Sequence, residues 1–225
     1  MPIGAFWGYK TDGLIQTQEQ LNAVKRADFQ PNAELGDVLF VDTNGDGKLD
    51  SSDRCMIGNP IPDIIYGINM GMAWKGFDLN LQFGGTIGNQ IFNAMRYYTY
   101  FPNDITNKDR ALMNYWTPNN TNTDIPRLTA TDVNDNDRFS DMYVENGTYF
   151  RLRNAQLGYT LPASLTQRTK LQKERFYVSG QNLFTISSYS GMDPEVGQSS
   201  SLSRGIDYGI YPQNISFTGG INVTF

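Results

Sequence analysis

The chain has 225 residues, and with 18 Lys and Arg against 23 Asp and Glu it carries a formal net charge of −5. That balance, with a sequence pI near 4.7, excludes a surface built to grip a nucleic-acid backbone, and the absence of histidine removes the usual general base, the usual zinc ligand and every Ser-His or Cys-His nucleophile. Aromatic residues at 13%, 22 glycines and only 18% charged residues point to an all-β chain rich in turns.

The single cysteine, Cys55, has no partner for an internal disulfide, so it leaves the redox compartment open. There is no apolar run long enough for a transmembrane helix, and a mean hydropathy of −0.45 looks like that of a soluble protein. A β-barrel looks the same, because half of each strand faces a wet lumen. The first nine residues, Met1 to Tyr9, have neither a basic region nor a continuous apolar stretch and so make no signal peptide. An exported protein beginning this way is expected to be a fragment.

Residues 1–15 alternate weakly, Ile3, Ala5, Trp7 and Tyr9 against Gly4 and Gly8, as a strand or part of a long loop would. Thr17 with Gln20 fits a capping box and predicts a short helix through Leu21 and Val24, ended by Pro31. Val38 to Val41 is a short apolar strand leading into an acidic loop. That loop, residues 42–53, has the spacing of a calcium loop of the EF-hand kind: side-chain oxygens at positions 1, 3, 5, 9 and 12, a carbonyl at 7 and glycine at 6. Asp42, Asn44, Asp46, Asp50 and Asp53 supply the side chains, Lys48 the carbonyl and Gly47 the turn. Asp53 stands where glutamate is usual and reaches less well for two-oxygen ligation. Ca2+ held here is expected to be structural, since a strand leads in and Gly58 to Pro60 lead out. The competing reading is an acidic turn that binds nothing, because Asn-Gly and Asp-Gly are common turn pairs.

The hairpin that follows has one apolar and one small or polar face on each arm. Ile64, Tyr66, Ile68, Met70, Met72 and Trp74 lie on one side of the first arm, and Phe77, Leu79, Leu81 and Phe83 on the same side of the second, with Lys75-Gly76 as the tight turn. Such arms suit a barrel wall in a bilayer, or a soluble sheet with one face on a core. Residues 88–146 are too long for a simple connection. Ile91, Phe92, Met95 and Tyr98 fall at helical spacing, as do Leu112, Met113 and Trp116 before Pro118. Tyr97, Tyr98, Tyr100, Phe101, Tyr115 and Trp116 supply rings that either stack on sugars or nucleobases or pack the insertion on itself. The run from Asp132 to Asp137 fits no known cation loop and reads as a solvated turn.

Three further strands complete the pattern. Tyr149 to Leu161 alternates with a slip near Asn154, which reads as a bulge; Phe176 to Ile186 follows a polar turn containing Lys170, Lys173 and Arg175; Ile215 to Phe225 alternates strictly. Long and short links alternate through the series, as in an up-and-down outer-membrane barrel with short periplasmic turns and long outer loops. A soluble sandwich has no reason to sort its links this way. The domain reading is therefore a loop region over 1–63, strands at 64–75, 77–87, 147–161, 175–187 and 214–225, and extracellular loops at 88–146 and 188–213. Phe225 fits the terminal aromatic residue that such barrels present to their assembly machinery.

Several ordered motifs carry a family resemblance. They are GDVLFVDTNGDGKLD from Gly36 to Asp50, Asp53-Arg54 with Ile57 to Pro60, Gly76 to Leu79, GTYFRLRN from Gly147 to Asn154, Leu157 to Pro162, Gly180 to Phe184, Asp193 to Val196, and Tyr211-Pro212. Together the chain resembles the C-terminal part of SusC-like, or RagA-like, TonB-linked outer-membrane receptors. The resemblance implies the C-terminal strands of a large antiparallel transmembrane β-barrel of about 22 strands, with long, partly helical extracellular loops and without the plug domain. It implies location in the outer membrane of a Gram-negative cell, import of glycans or peptides, a SusD-like lipoprotein partner, energy from TonB through the missing N-terminal part, and contact with outer-membrane lipid. No bond is made or broken on this reading. The alternatives are a free-standing soluble, calcium-stabilised β domain that binds carbohydrate, and a hydrolase using a carboxylate pair such as Asp193 and Glu195, for which the separation in the fold decides.

Overall fold

The computed structural model describes residues 2–100, 107–166, 171–196 and 203–225. In chain order its elements are β1 (Phe6–Gly8), β2 (Thr11–Leu14), α1 (Gln18–Arg26), β3 (Val38–Phe40), β4 (Cys55–Gly58), β5 (Ile64–Trp74), β6 (Phe77–Ile87), β7 (Gln90–Asn93), α2 (Ala94–Thr99), β8 (Val144–Asn146), β9 (Tyr149–Thr160), α3 (Ala163–Thr166), β10 (Lys173–Ser187), β11 (Ile206–Asp207) and β12 (Ser216–Thr224). They divide into two compact units. One comprises Met1–Ile61, Gln90–Asn146 and Val196–Ile210; the other comprises Pro62–Asn89, Gly147–Glu195 and Tyr211–Phe225.

The first unit is a set of small sheets, β1 with β4, β2 with β3, and β7 between β8 and β11. α1 starts where its sequence says it should: the Thr17 side chain accepts from the Gln20 N–H and the Gln20 side chain reaches back to Thr17. Leu21 packs with Ile15 and Ala33, while Tyr9, Leu14, Phe29, Val38, Phe40 and Trp116 form a larger cluster. Two helical readings change. Gln90–Asn93 is a strand, because Ile91 and Phe92 are both buried in a sheet paired on either side, and Asn93 then caps the short α2. Around Leu112 there is only a 3-10 turn, Arg110–Asn114. Trp116 lies beyond it in extended backbone, its indole N–H donating to Gln16 Oε1 at 2.8 Å and its ring against Gly36. At Gly36, with φ of 86°, a Cβ would lie 2.2 Å from that ring. Phe101 and Lys170 lie outside the described residues.

The run from Asp132 to Asp137 is also not the solvated turn its composition predicts. Asn134 and Asn136 are 5% and 1% exposed, and they serve the edge of β3 away from β2 in place of a partner strand. The Val38 N–H donates to Asn136 Oδ1 (2.8 Å), Asn134 and Gln30 donate to the Val38 carbonyl (3.2 and 2.9 Å), and Gln30 Oε1 accepts from the Phe40 N–H (3.0 Å). Buried backbone groups need partners, and amide side chains supply both donor and acceptor.

The second unit is one antiparallel sheet in the order β12-β10-β9-β6-β5. Its register aligns the apolar residues of every strand on a single face: Met70 opposite Leu81, Leu81 opposite Ala155, Ala155 opposite Gly180 and Gly180 opposite Phe217. Most large side chains of that face are exposed, among them Met70, Met72, Trp74, Phe77, Leu157, Val178, Phe217 and Ile221. The other face carries Asp78, Asn80, Gln82, Gln156, Arg175, Thr218 and Asn222. There Arg175 Nε donates to Asp78 Oδ1 at 2.8 Å, crossing over Gly158, where a Cβ would meet the guanidinium at 2.3 Å.

Lys75 and Gly76 both have positive φ, 46° and 87°, as a type I′ hairpin turn requires. The β9–β10 link is at the same end of the sheet, since Phe77 pairs with Tyr159 and Arg175 with Thr160. All connections to the first unit leave from the opposite end, next to Ile64, Ile87, Tyr149, Ser187 and Ser216. Near Asn154 the slip is a bulge: Asn154 faces Gln82 and Leu152 faces Phe83, so Arg153 is the extra residue. For a face that meets lipid, as the resemblance implies, Leu81→Arg should lower membrane insertion sharply, since a cation at the lipid midplane costs about 2–4 kcal/mol, whereas Ile64→Arg near the strand end should cost at most ~1 kcal/mol. Membrane-fraction immunoblots of the two variants test this depth dependence.

Candidate functional site

The bulge lets Arg151 and Arg153 both reach the carboxylates that follow β10. Arg151 is buried and each of its three guanidinium nitrogens has a partner: Nε donates to Thr185 Oγ1 (2.8 Å), Nη2 to Asp193 Oδ1 (2.6 Å) and Nη1 to Glu195 Oε2 (2.9 Å). Arg153 donates to the other oxygen of Glu195 and to the Tyr149 hydroxyl, each at 3.1 Å. Asp193, 4% exposed, also accepts the Glu195 N–H and, at 3.0 Å, the Gln213 N–H. One carboxylate therefore fastens both the departing and the returning chain of the 188–213 loop to the polar face of the sheet. With each oxygen of the Asp193–Glu195 pair committed to arginine or backbone, neither carboxylate is free for the acid–base work of a glycosidase. Sequence reasoning did not assign this clasp. The signal was present in two arginines placed in a strand whose alternation slips.

The acidic loop folds on itself through its own backbone. Asp42 accepts the N–H groups of Gly45 (2.6 Å) and Gly47 (2.8 Å), and Asp46 Oδ1 accepts the Lys48 N–H (2.8 Å). Asp53 is fully buried and closes the loop, taking N–H groups from Thr43 (3.0 Å) and Asp50 (2.9 Å). The Asp42 carboxyl is held below the usual range chiefly by the Gly47 N–H, and Asp50 by the Ser52 N–H, so both are anionic at neutral pH. Asn44 and Asp46 touch through Asn44 Nδ2 and Asp46 Oδ2 at 3.1 Å. Among the described residues no three Asp, Glu, His or Cys side chains converge as a metal centre. The donors are the all-oxygen set a hard cation prefers, held by the loop's own turns.

In the aromatic insertion Phe92 stacks on Phe139 at 4.0 Å, and Tyr97 meets Tyr143 edge-on at 5.2 Å. Those rings pack the insertion on itself. Tyr98 meets Tyr97 edge-on at 5.2 Å at the margin of that cluster and is still 53% exposed, and Tyr208 is 62% exposed.

Comparison with known proteins gives the chain relatives along nearly all its length. No family model matches it. TonB-dependent receptor P3 of Formosa agariphila is 39% identical over 233 aligned positions, covering 99% of this chain and 22% of that protein. TonB-dependent receptor SusC of Bacteroides thetaiotaomicron is 29% identical, over 88% of this chain and 18% of that protein. Among solved structures, the RagAB peptide transporter superposes with a TM-score of 0.73 at 25% identity, covering 98% of this chain and 22% of that one. The chain belongs to the SusC/RagA-like TonB-dependent receptors. It matches their C-terminal part and spans about a fifth of their length. The apolar face of the five-stranded sheet is accordingly the lipid face of an outer-membrane barrel wall, and the Arg151 clasp lies on its inner face. Its relatives are named as TonB-dependent receptors and a peptide transporter, and none of these names is an enzyme's.

Arg151→Met in the full-length receptor should destabilise the clasp by about 3–5 kcal/mol, the cost of leaving buried carboxylates without their cation. Limited proteolysis between residues 188 and 213 should accelerate. The double variant Arg151→Met with Asp193→Leu should recover part of the loss, because it removes the charge that the single variant strands. An unchanged cleavage rate in Arg151→Met would show that the loop is held elsewhere.

Proposed function

We propose that the receptor to which this chain belongs imports a nutrient oligomer, most simply a glycan, across the outer membrane. A SusD-like lipoprotein closes over the loop side, and energy arrives from TonB acting on the family's plug domain. The observation that carries this reading is the likeness to TonB-dependent receptors over 99% of the chain, joined to a sheet whose outward face is apolar up to Glu174 at its hairpin-turn end. The same face weighs against the free-standing soluble domain, which would leave Met70, Met72, Leu157 and Val178 in water. The exposed rings of Tyr98 and Tyr208 favour a glycan, since a flat amphipathic ring stacks on the apolar face of a sugar. The competing substrate is a peptide, which the solved RagAB transporter carries in its name.

Aromatic contacts of this kind are worth about 0.5–1.5 kcal/mol, so Tyr98→Ala and Tyr208→Ala should each weaken glycan binding to the purified receptor and lipoprotein roughly 2- to 12-fold. Calorimetry with oligosaccharide and peptide pools tests this directly. Peptide binding that survives both changes, with no heat from any glycan, would transfer the assignment to peptides.

For the acidic loop the proposed ligand is Ca2+, held by Asp42, Asn44, Asp46, Asp50, Asp53 and the Lys48 carbonyl. Its support is the filled spacing and a loop already closed by Asp42 and Asp53, which take backbone N–H groups from within it. The ion would fix the link from β3 to β4 and take no part in transport chemistry. Asp46→Ala should abolish a calcium heat seen by titration of the metal-stripped receptor. If the unaltered receptor gives no heat, the loop is a plain acidic turn.

A further inference from the structure

The lipid face of the sheet is not evenly filled. Gly180 lies in register with Ala155 on one side and Phe217 on the other, and Val178 with Leu157 and Gly219. Leu183 folds back over Gly180, and beside it the small Ala155 and Gly219 leave an apolar furrow of about 390 Å³ between Leu79, Leu157, Val178, Leu183 and Phe217. A second hollow of about 410 Å³, walled by Phe77, Tyr159, Phe176 and Ile221, shares Leu157 and Val178 with the first. The two follow one another along the strands on either side of the Leu157–Val178 pair, a channel interrupted only by these side chains, from mid-height to the aromatic residues at the hairpin-turn end.

We propose that this channel seats one acyl chain of a phosphatidylethanolamine molecule from the periplasmic leaflet, with the headgroup at those aromatic residues. The inference depends on the outer-membrane face and not on which nutrient is imported. The channel is continuous with the lipid-facing surface, and the sheet itself closes it from the inside, so hydrocarbon is what reaches it. An unfilled hollow forfeits dispersion contacts along its lining, and a lipid tail is slender enough to restore them. The channel ends where Phe77, Tyr159 and Phe176 stand, rings that settle at the headgroup level. Glu174 is the next residue on that face, opposite Val223, and offers a carboxylate to the ammonium of an ethanolamine headgroup.

The test is photo-crosslinking of the full-length receptor in vesicles of phosphatidylethanolamine and phosphatidylglycerol, with a photoactivatable acyl chain on one lipid at a time. Label from phosphatidylethanolamine should concentrate on residues 155–157, 176–180 and 217–221 over the outward residues Met70 and Met72 of β5. Gly219→Leu fills the furrow at little structural cost, since the nearest atom to a Cβ there is the Tyr177 carbonyl oxygen at 4.0 Å. It should cut the label at Val178 roughly tenfold, the loss expected from displacing about two methylenes, and leave the label on β5 unchanged. Ala155→Leu should act in the same direction. Uniform labelling of the face, labelling insensitive to both substitutions, equal capture of phosphatidylglycerol, or a crosslink to a second receptor in place of lipid would each overturn the proposal.

Discussion

A strand in a bilayer must meet two demands at once: every backbone N–H and C=O must pair within the protein, and only apolar side chains can face outward. In the five-stranded sheet the register answers both, because each antiparallel pair keeps outward residues opposite outward residues from β5 to β12. The one irregularity has a consequence on the inner face. At Arg153 the extra residue restores Leu152 and Phe150 to the outward set after the slip, and it brings two arginines near enough to share Glu195. The polar clasp thus follows from the apolar requirement.

The first unit meets the same backbone demand in a different solvent and by different means. Its strands are three or four residues long or less, too short to satisfy their neighbours by ladder hydrogen bonds alone. Amide side chains do the pairing instead, with Gln30, Asn134 and Asn136 gathered on β3. Asp37, fully buried beside them, is neutralised by Arg127, whose Nε donates at 2.6 Å. A segment that looks polar and solvated in sequence is the core of this unit's order. The same residues steady the strand that delivers the chain to Asp42, so the geometry of the acidic loop depends on a loop ninety positions away.

What could be read from the sequence follows the range of the physics involved. The hairpin was legible because period-two alternation is local and Lys75-Gly76 admits one kind of turn, and the α1 cap because Thr17 and Gln20 are three residues apart. The bulge showed as a slip in phase. Ile91 and Phe92 misled, since two adjacent buried residues satisfy a helix face and a doubly covered strand alike, and only the pairing with β8 and β11 decides. Trp116 misled because its ring is held by Gly36 and Gln16, far away in sequence. The Arg151 clasp was hidden for the same reason: Asp193 and Glu195 look like a catalytic pair until the arginines forty residues earlier are seen to hold them.

The sheet also carries an argument about what surrounds it. Among the described residues β5 pairs only with β6 and β12 only with β10, so each presents a full edge of backbone donors and acceptors. Exposed edges of this length invite aggregation in water and are untenable in hydrocarbon, where each unpaired group costs several kcal/mol. No side chains gather on these edges as they do on β3. The wall therefore calls for a neighbouring strand on either side, as a barrel wall provides.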